Sequence, residues 1–127
     1  MSLNILIIDD FASVRLYHTS FLTRKGYRCV GASNGAEALE LLRAQPFDLV
    51  LLDMVMPEMT GDAFVACLDA DARLAGLPVL VVTSEEELAR EAFKAARRPL
   101  GILTKPVLPA ALLQCVQKFL PAAAAAS

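Results

Sequence analysis

Three runs of four aliphatic residues each end in polar chemistry. Ile5-Leu6-Ile7-Ile8 leads into Asp9-Asp10, Leu49-Val50-Leu51-Leu52 into Asp53, and Val79-Leu80-Val81-Val82 into Thr83-Ser84. A weaker run, Leu100-Gly101-Ile102-Leu103, leads to Thr104-Lys105-Pro106. Unbroken Val, Ile and Leu runs of this length, bounded by polar residues or turn formers, are what strands buried on both faces of a parallel sheet require. Between them the period becomes helical. Val14, Tyr17, Phe21 and Leu22 share helical spacing, and Arg24-Lys25-Gly26 then supplies cations for the negative helix end and a stop. Residues 28–32 read as a short second strand. Asn34 and Glu37 make a capping-box-like start for a helix with Ala38, Leu41 and Leu42 on one face, stopped before Pro46. Past the third strand, Pro57 and Gly61 lead to a helix carrying Phe64, Val65, Cys67 and Leu68. Ser84 reads as the N-cap of the next helix, with Glu85, Glu86 and Glu87 in its first turn and an end near Ala96. Pro109 opens the last helix, whose stripe of Leu112, Leu113, Val116, Phe119 and Leu120 runs up to Pro121.

Five strands alternating with five helices over short connections predict right-handed crossovers and one parallel sheet covered on both faces, a doubly wound α/β fold. In such sheets ligands bind beyond the carboxyl ends of the strands, so three Asp, one Thr and one Lys are expected to meet along one edge. Composition narrows the function. The 127 residues amount to one domain, 56% of them hydrophobic, and no apolar stretch approaches the roughly 20 residues of a membrane span. The start lacks a basic region followed by an apolar stretch and a cleavage site, so a cytoplasmic location is expected. A net charge of −2 and a pI near 5.3 give no footprint for nucleic acid, and direct DNA binding is not expected. Cys29, Cys67 and Cys115 are odd in number and far apart, which predicts buried or half-buried free thiols rather than disulfides or a zinc site. His18 has no second ligand or base spaced to join it and is expected as an ordinary surface or boundary residue. Lys94, Arg97 and Arg98 read as a solvated helix end, and residues 122–127 as a frayed Ala-rich tail.

Taken singly, Asp9-Asp10 could be a turn former, Asp53 a strand-ending turn, Thr83 a cap and Lys105 a solvated charge. Together they form an ordered set. Asp9-Asp10, then Asp53-Met-Val-Met-Pro57-Glu-Met-Thr-Gly61, Thr83-Ser84 and Lys105-Pro106 resemble the receiver domain of bacterial two-component response regulators. Asn34-Gly35-Ala36-Glu37-Ala38-Leu39 and Pro46-Phe47-Asp48-Leu49 extend the resemblance over residues 3–120. It implies a flavodoxin-like strand order 2-1-3-4-5 within a receiver unit at 1–121, with the acid pair facing the third Asp across the switch point.

The residue types suit the chemistry so implied. Three clustered carboxylates repel one another and any phosphoryl donor, and a hard cation with oxygen ligands relieves both conflicts. By resemblance, Asp10 and Asp53 are direct Mg2+ ligands, Asp9 acts through water, and Val55 lends its main-chain carbonyl. Asp53 is then the nucleophile that takes a phosphoryl group from a histidine kinase, a histidine phosphotransfer protein or a small phosphodonor. Lys105 and Thr83 stabilise the transferred group, and a cis Lys105-Pro106 bond aims the ammonium inward. The module would be a switch rather than a turnover enzyme, monomeric or dimerising through its last two helices on phosphorylation. Two departures bear on its behaviour. Ile102 stands where receivers usually carry Tyr or Phe, which leaves the usual aromatic indicator absent, and apolar Val55 with Glu85 flanks the path of attacking water, which predicts a slowly hydrolysing acyl phosphate. A flavodoxin-type FMN carrier would want a hydroxyl- and glycine-rich loop where Asp9-Asp10-Phe11 stands. A dehalogenase-type phosphatase would want an Asp at Val55.

Overall fold

The computed structural model describes residues 3–56 and 58–120. In chain order the elements are β1 (Asn4–Ile8), α1 (Ala12–Arg24), β2 (Arg28–Ala32), α2 (Gly35–Ala44), β3 (Leu49–Asp53), α3 (Gly61–Asp69), a 3-10 turn (Ala72–Leu74), β4 (Val79–Thr83), α4 (Glu86–Phe93), β5 (Leu100–Thr104) and α5 (Pro109–Phe119). All strand pairs are parallel, in the order β2-β1-β3-β4-β5. The expected doubly wound, flavodoxin-like sheet is therefore what forms.

Alternation along the aliphatic runs explains why the sheet needs a cover on each side. Leu6, Ile8, Val50, Leu52, Val79 and Val81 face one core with Ala38 and Leu42 of α2, Phe64 and Leu68 of α3, and Phe93 of α4. Ile5, Ile7, Leu49, Leu51, Leu80 and Val82 face the other, with Leu22 of α1 and Leu112 and Val116 of α5. Burying a Leu, Ile or Phe side chain is worth about 1.5–3 kcal/mol, so the three central runs hold the molecule together. Gly101, which weakens the β5 run, has a reason to be small: a Cβ there would lie 3.2 Å from the Phe119 ring and 3.1 Å from Leu80 Cδ1.

Local signals hold in most places. Asn34 Oδ1 accepts from the Glu37 N–H at 2.8 Å, while the Glu37 carboxylate takes the N–H of Ser33 rather than that of Asn34. Pro109 occupies the first turn of α5. Gly26 turns the chain after α1 with φ at 100°, a conformation open to glycine. Pro57, Pro121 and the tail at 122–127 lie outside the described residues.

Five expectations are corrected. Val14 and Tyr17 are exposed, and the buried side chains of α1 are His18 and Leu22. His18 is thus no surface residue: its position one turn before Leu22 turns it inward, with 4% of its surface exposed. Helix α4 stops at Phe93, short of Ala96, and begins after Glu85 rather than Ser84, because Thr83 Oγ1 already accepts the Glu85 N–H at 2.9 Å. Arg98 is not solvated. Its guanidinium reaches Asp69 Oδ1 and donates to the main-chain oxygens of Leu74 and Leu77 at 2.9 and 2.8 Å; the Leu74 oxygen also accepts the Leu77 N–H at 3.2 Å. Cys67 is exposed, on the outer side of α3, while Cys29 and Cys115 are half-buried as expected.

Candidate functional site

Register brings the polar ends of the strands together. Ile8 pairs with Leu52, Asp53 with Val82, and Thr83 with Thr104, so the residue after β1, the last residues of β3 and β4 and the residue after β5 line one edge. Carboxylate oxygens of Asp9, Asp10 and Asp53 all lie within 4.8 Å of one another. Asp53 and Asp9 are almost fully buried, at 3% and 4% exposure. Lys105, on a cis Lys105-Pro106 peptide, places Nζ 3.1 Å from Asp53 Oδ1. The Val55 N–H points at the same oxygen from 3.4 Å.

These positions set the electrostatics. Burial raises the Asp9 carboxyl above its ordinary range, against a hydrogen bond from the Phe11 N–H at 2.9 Å, and the charges of Asp53 and Asp10 push the same way as burial. Asp10 Oδ1 is buried with no hydrogen-bond partner among the described residues. An orphaned carboxylate oxygen beside two further carboxylates is a donor set lacking its acceptor of electrons, and hard oxygen ligands of this kind fit Mg2+.

Four of the sequence-predicted residues, Asp9, Asp10, Asp53 and Lys105, converge as expected. Thr83 stands on the adjacent strand end, its hydroxyl oxygen occupied by the Glu85 N–H. Val55 lies on the loop after β3 with its side chain 72% exposed. Two neighbours escape a motif-based reading. Arg15 of α1 donates from Nη1 to the main-chain oxygen of Asp9 at 2.6 Å. His18 lies under a cavity of about 610 Å3 lined by Phe11, Val14, Tyr17, Lys105 and Val107. The signal for His18 was present in the spacing back from Leu22; that for Arg15 was a cation one helical turn into α1 opposite a strand glycine, Gly31.

An acid triad, a lysine on a cis Pro peptide and a threonine across a 2-1-3-4-5 sheet match a known constellation. A family model, the response regulator receiver domain, matches residues 5–117. The chain belongs to this family. Among its relatives, the chemotaxis protein CheY of Pseudomonas aeruginosa is 33% identical over 118 residues, covering 92% of this chain and 95% of the relative. The protein PilH of the same organism is 31% identical over 116 residues, covering 91% and 96%. The solved chemotaxis response regulator CheY4 of Vibrio cholerae superposes with a TM-score of 0.87 at 31% identity, covering 94% of this chain and 99% of that one. The receiver fold read from the motifs is the fold observed. A receiver domain is a phosphorelay module, and its chemistry must be sought at the edge just described. Among the described residues, no helix is long and apolar enough to cross a membrane.

Proposed function

We propose that this receiver domain accepts a phosphoryl group on Asp53 and relays it as a conformational signal. The observation that carries the reading is a buried carboxylate held at 3.1 Å by Lys105 and flanked by two further acids, one with an orphaned oxygen. Structural ion pairs do not need two extra carboxylates. The donor is a phosphohistidine on a histidine kinase or phosphotransfer protein, or a small phosphodonor such as acetyl phosphate. An Asp53 oxygen attacks phosphorus, the bond from phosphorus to the donor breaks, and the leaving group, imidazole from phosphohistidine or acetate from acetyl phosphate, departs with its electron pair; the product is an acyl phosphate.

Asp10 and Asp53 would hold Mg2+ directly, Asp9 through water and Val55 by its main-chain carbonyl, and the ion would neutralise phosphoryl oxygens that the acids otherwise repel. The chain's own groups do the rest. Lys105 supplies a second positive charge to the transferred group, already aimed at Asp53. The Thr83 oxygen accepts the Glu85 N–H while its O–H proton stays available to a phosphoryl oxygen, so a shift of the hydroxyl toward the transferred group would pull on the start of α4. That shift is the switching step. Ile102, half-buried, offers no ring to follow it. Exposed Val55 gives attacking water no polar group to orient it, so the acyl phosphate decays slowly.

We take residues 1–121 as the receiver unit, in the cytoplasm, monomeric or dimerising through α4 and α5 when phosphorylated. Intact mass after incubation with acetyl phosphate tests the reading. A Mg2+-dependent, alkali-labile phosphoryl increment, absent in Asp53→Asn, is the expected result; a folded, Mg2+-binding protein that gains no increment from any phosphodonor would overturn it.

A further inference from the structure

Arg15 occupies a place that local preferences argue against. It lies close to the N-terminus of α1, where the helix dipole disfavours a cation, and that end has neither a side-chain cap nor an acid in its first turn to compensate. Facing it, the interior of β2 carries Gly31, although glycine weakens a strand. The two anomalies fit each other. A Cβ at Gly31 would lie 3.0 Å from Arg15 Cδ and 3.2 Å from Cγ, so the arginine stem occupies the space the missing side chain leaves. Its guanidinium ends 2.6 Å from the main-chain oxygen of Asp9.

That oxygen belongs to the peptide joining Asp9 to Asp10. Its orientation sets the direction in which both carboxylates leave the backbone. The Asp9 N–H is already held by the Ala32 oxygen at 3.1 Å, and Asp9 Oδ1 by the Phe11 N–H. Arg15 fixes the one remaining polar group of Asp9's main chain, and it does so through a carbonyl rather than a carboxylate, so it does not occupy the Asp10 oxygen left without a partner. We propose that Arg15, admitted by Gly31, is a positioning residue for the cation site, holding the Asp9-Asp10 peptide so that both carboxylates converge on Asp53. The inference rests on the reading of that site as a Mg2+ centre for phosphoryl transfer.

The sign of a single substitution separates this role from simple electrostatics. A guanidinium repels a dication, so removing it as a bystander tightens Mg2+ binding; removing a residue that orients the ligands weakens it. The experiment is calorimetric titration of the full chain with Mg2+ at fixed ionic strength, with thermal unfolding to establish that each variant is folded. Arg15→Met is expected to weaken Mg2+ binding by about tenfold, the lower end for groups that orient metal ligands, and Arg15→Lys to recover part of the loss. Gly31→Ala is expected to weaken binding in the wild-type background but not in Arg15→Met, because the two act through one contact. Unchanged or tighter binding in folded Arg15→Met overturns the proposal. Should that variant not fold, Gly31→Ala decides alone, and unchanged affinity there overturns it. A wild-type chain that binds Mg2+ but is never phosphorylated would sink the phosphoacceptor reading and leave the Arg15 result standing; phosphorylation of Asp53 with no Arg15 effect does the reverse.

Discussion

His18 shows how a single polar side chain inside the sandwich makes the molecule pH-sensitive. Burial lowers its pKa from the ordinary 6.5, Lys105 lowers it further, and Asp53 opposes only in part. The imidazole is therefore held neutral. Because the unfolded chain takes up this proton first, the stability His18 contributes is complete above 6.5 and falls as pH drops below that value toward the folded pKa. Between pH 7.5 and 5.5 the urea-unfolding stability of the Mg2+-free protein should fall relative to that of His18→Leu, by no more than the one-proton limit of about 1.4 kcal/mol per pH unit. Parallel curves would mean that the ring is solvated and that its burial has no energetic consequence. Asp9 acts with the opposite sign. Its raised pKa means that its charge costs stability above the folded value and that the cost is relieved as pH falls through it.

At the scale of elements, the turn between α4 and β5 is tied to the far end of α3 by one buried cation. Arg98 is 5% exposed, while its partner Asp69 is more than half exposed, so the ion pair itself is screened and contributes modestly. The two carbonyls matter more. Arg98→Ala takes the guanidinium donor from the Leu77 oxygen and one of two donors from the Leu74 oxygen, which keeps the Leu77 N–H, and should cost about 1–3 kcal/mol in urea unfolding. Arg98→Lys should recover little, since one ammonium cannot serve Asp69 and both carbonyls at once. A loss below about 0.5 kcal/mol for Arg98→Ala, the range of ordinary surface changes, would refute this account. The same turn marks the limit of what the chain discloses. Strands β1, β3 and β4 were legible because unbroken aliphatic runs have few other uses, and Asp9, Asp10, Asp53, Thr83 and Lys105 were legible because they end those strands in a fixed order. Arg98 and His18 were not, because sequence gives a charge or an imidazole but not the direction a short turn or one helical step gives it. The exposure of Val14 and Tyr17 had the same origin: their spacing fits an apolar stripe, yet the sheet takes the adjoining one, through His18 and Leu22.

For the molecule as a whole, apolar exposure is concentrated at the edge that carries the chemistry. Among the described residues, Phe11, Val14, Leu16, Tyr17, Val55 and Leu108 are exposed large hydrophobics on the segments after β1, β3 and β5; Leu88 on α4 is the remaining one. Phe11, Val14 and Tyr17 line one cavity together with Lys105, and clustered exposed apolar side chains mark contact surfaces. A phosphohistidine can reach buried Asp53 only if its protein covers this edge, whereas acetyl phosphate needs no more than the opening itself. The two donors should therefore respond differently to the same substitution. Phe11→Ala combined with Tyr17→Ala should slow transfer from a phosphorylated histidine phosphotransfer protein by about tenfold, as expected for truncating aromatic anchors at an interface, and leave labelling by acetyl phosphate within about twofold of wild type. Rapid-quench transfer beside intact-mass labelling measures both. Equal losses with the two donors would show that the aromatic residues shape the acid site itself, and no loss with either would place the donor's contact elsewhere on the domain. Selective loss would give the exposed side chains of α1 the role that their burial pattern denies them in the core.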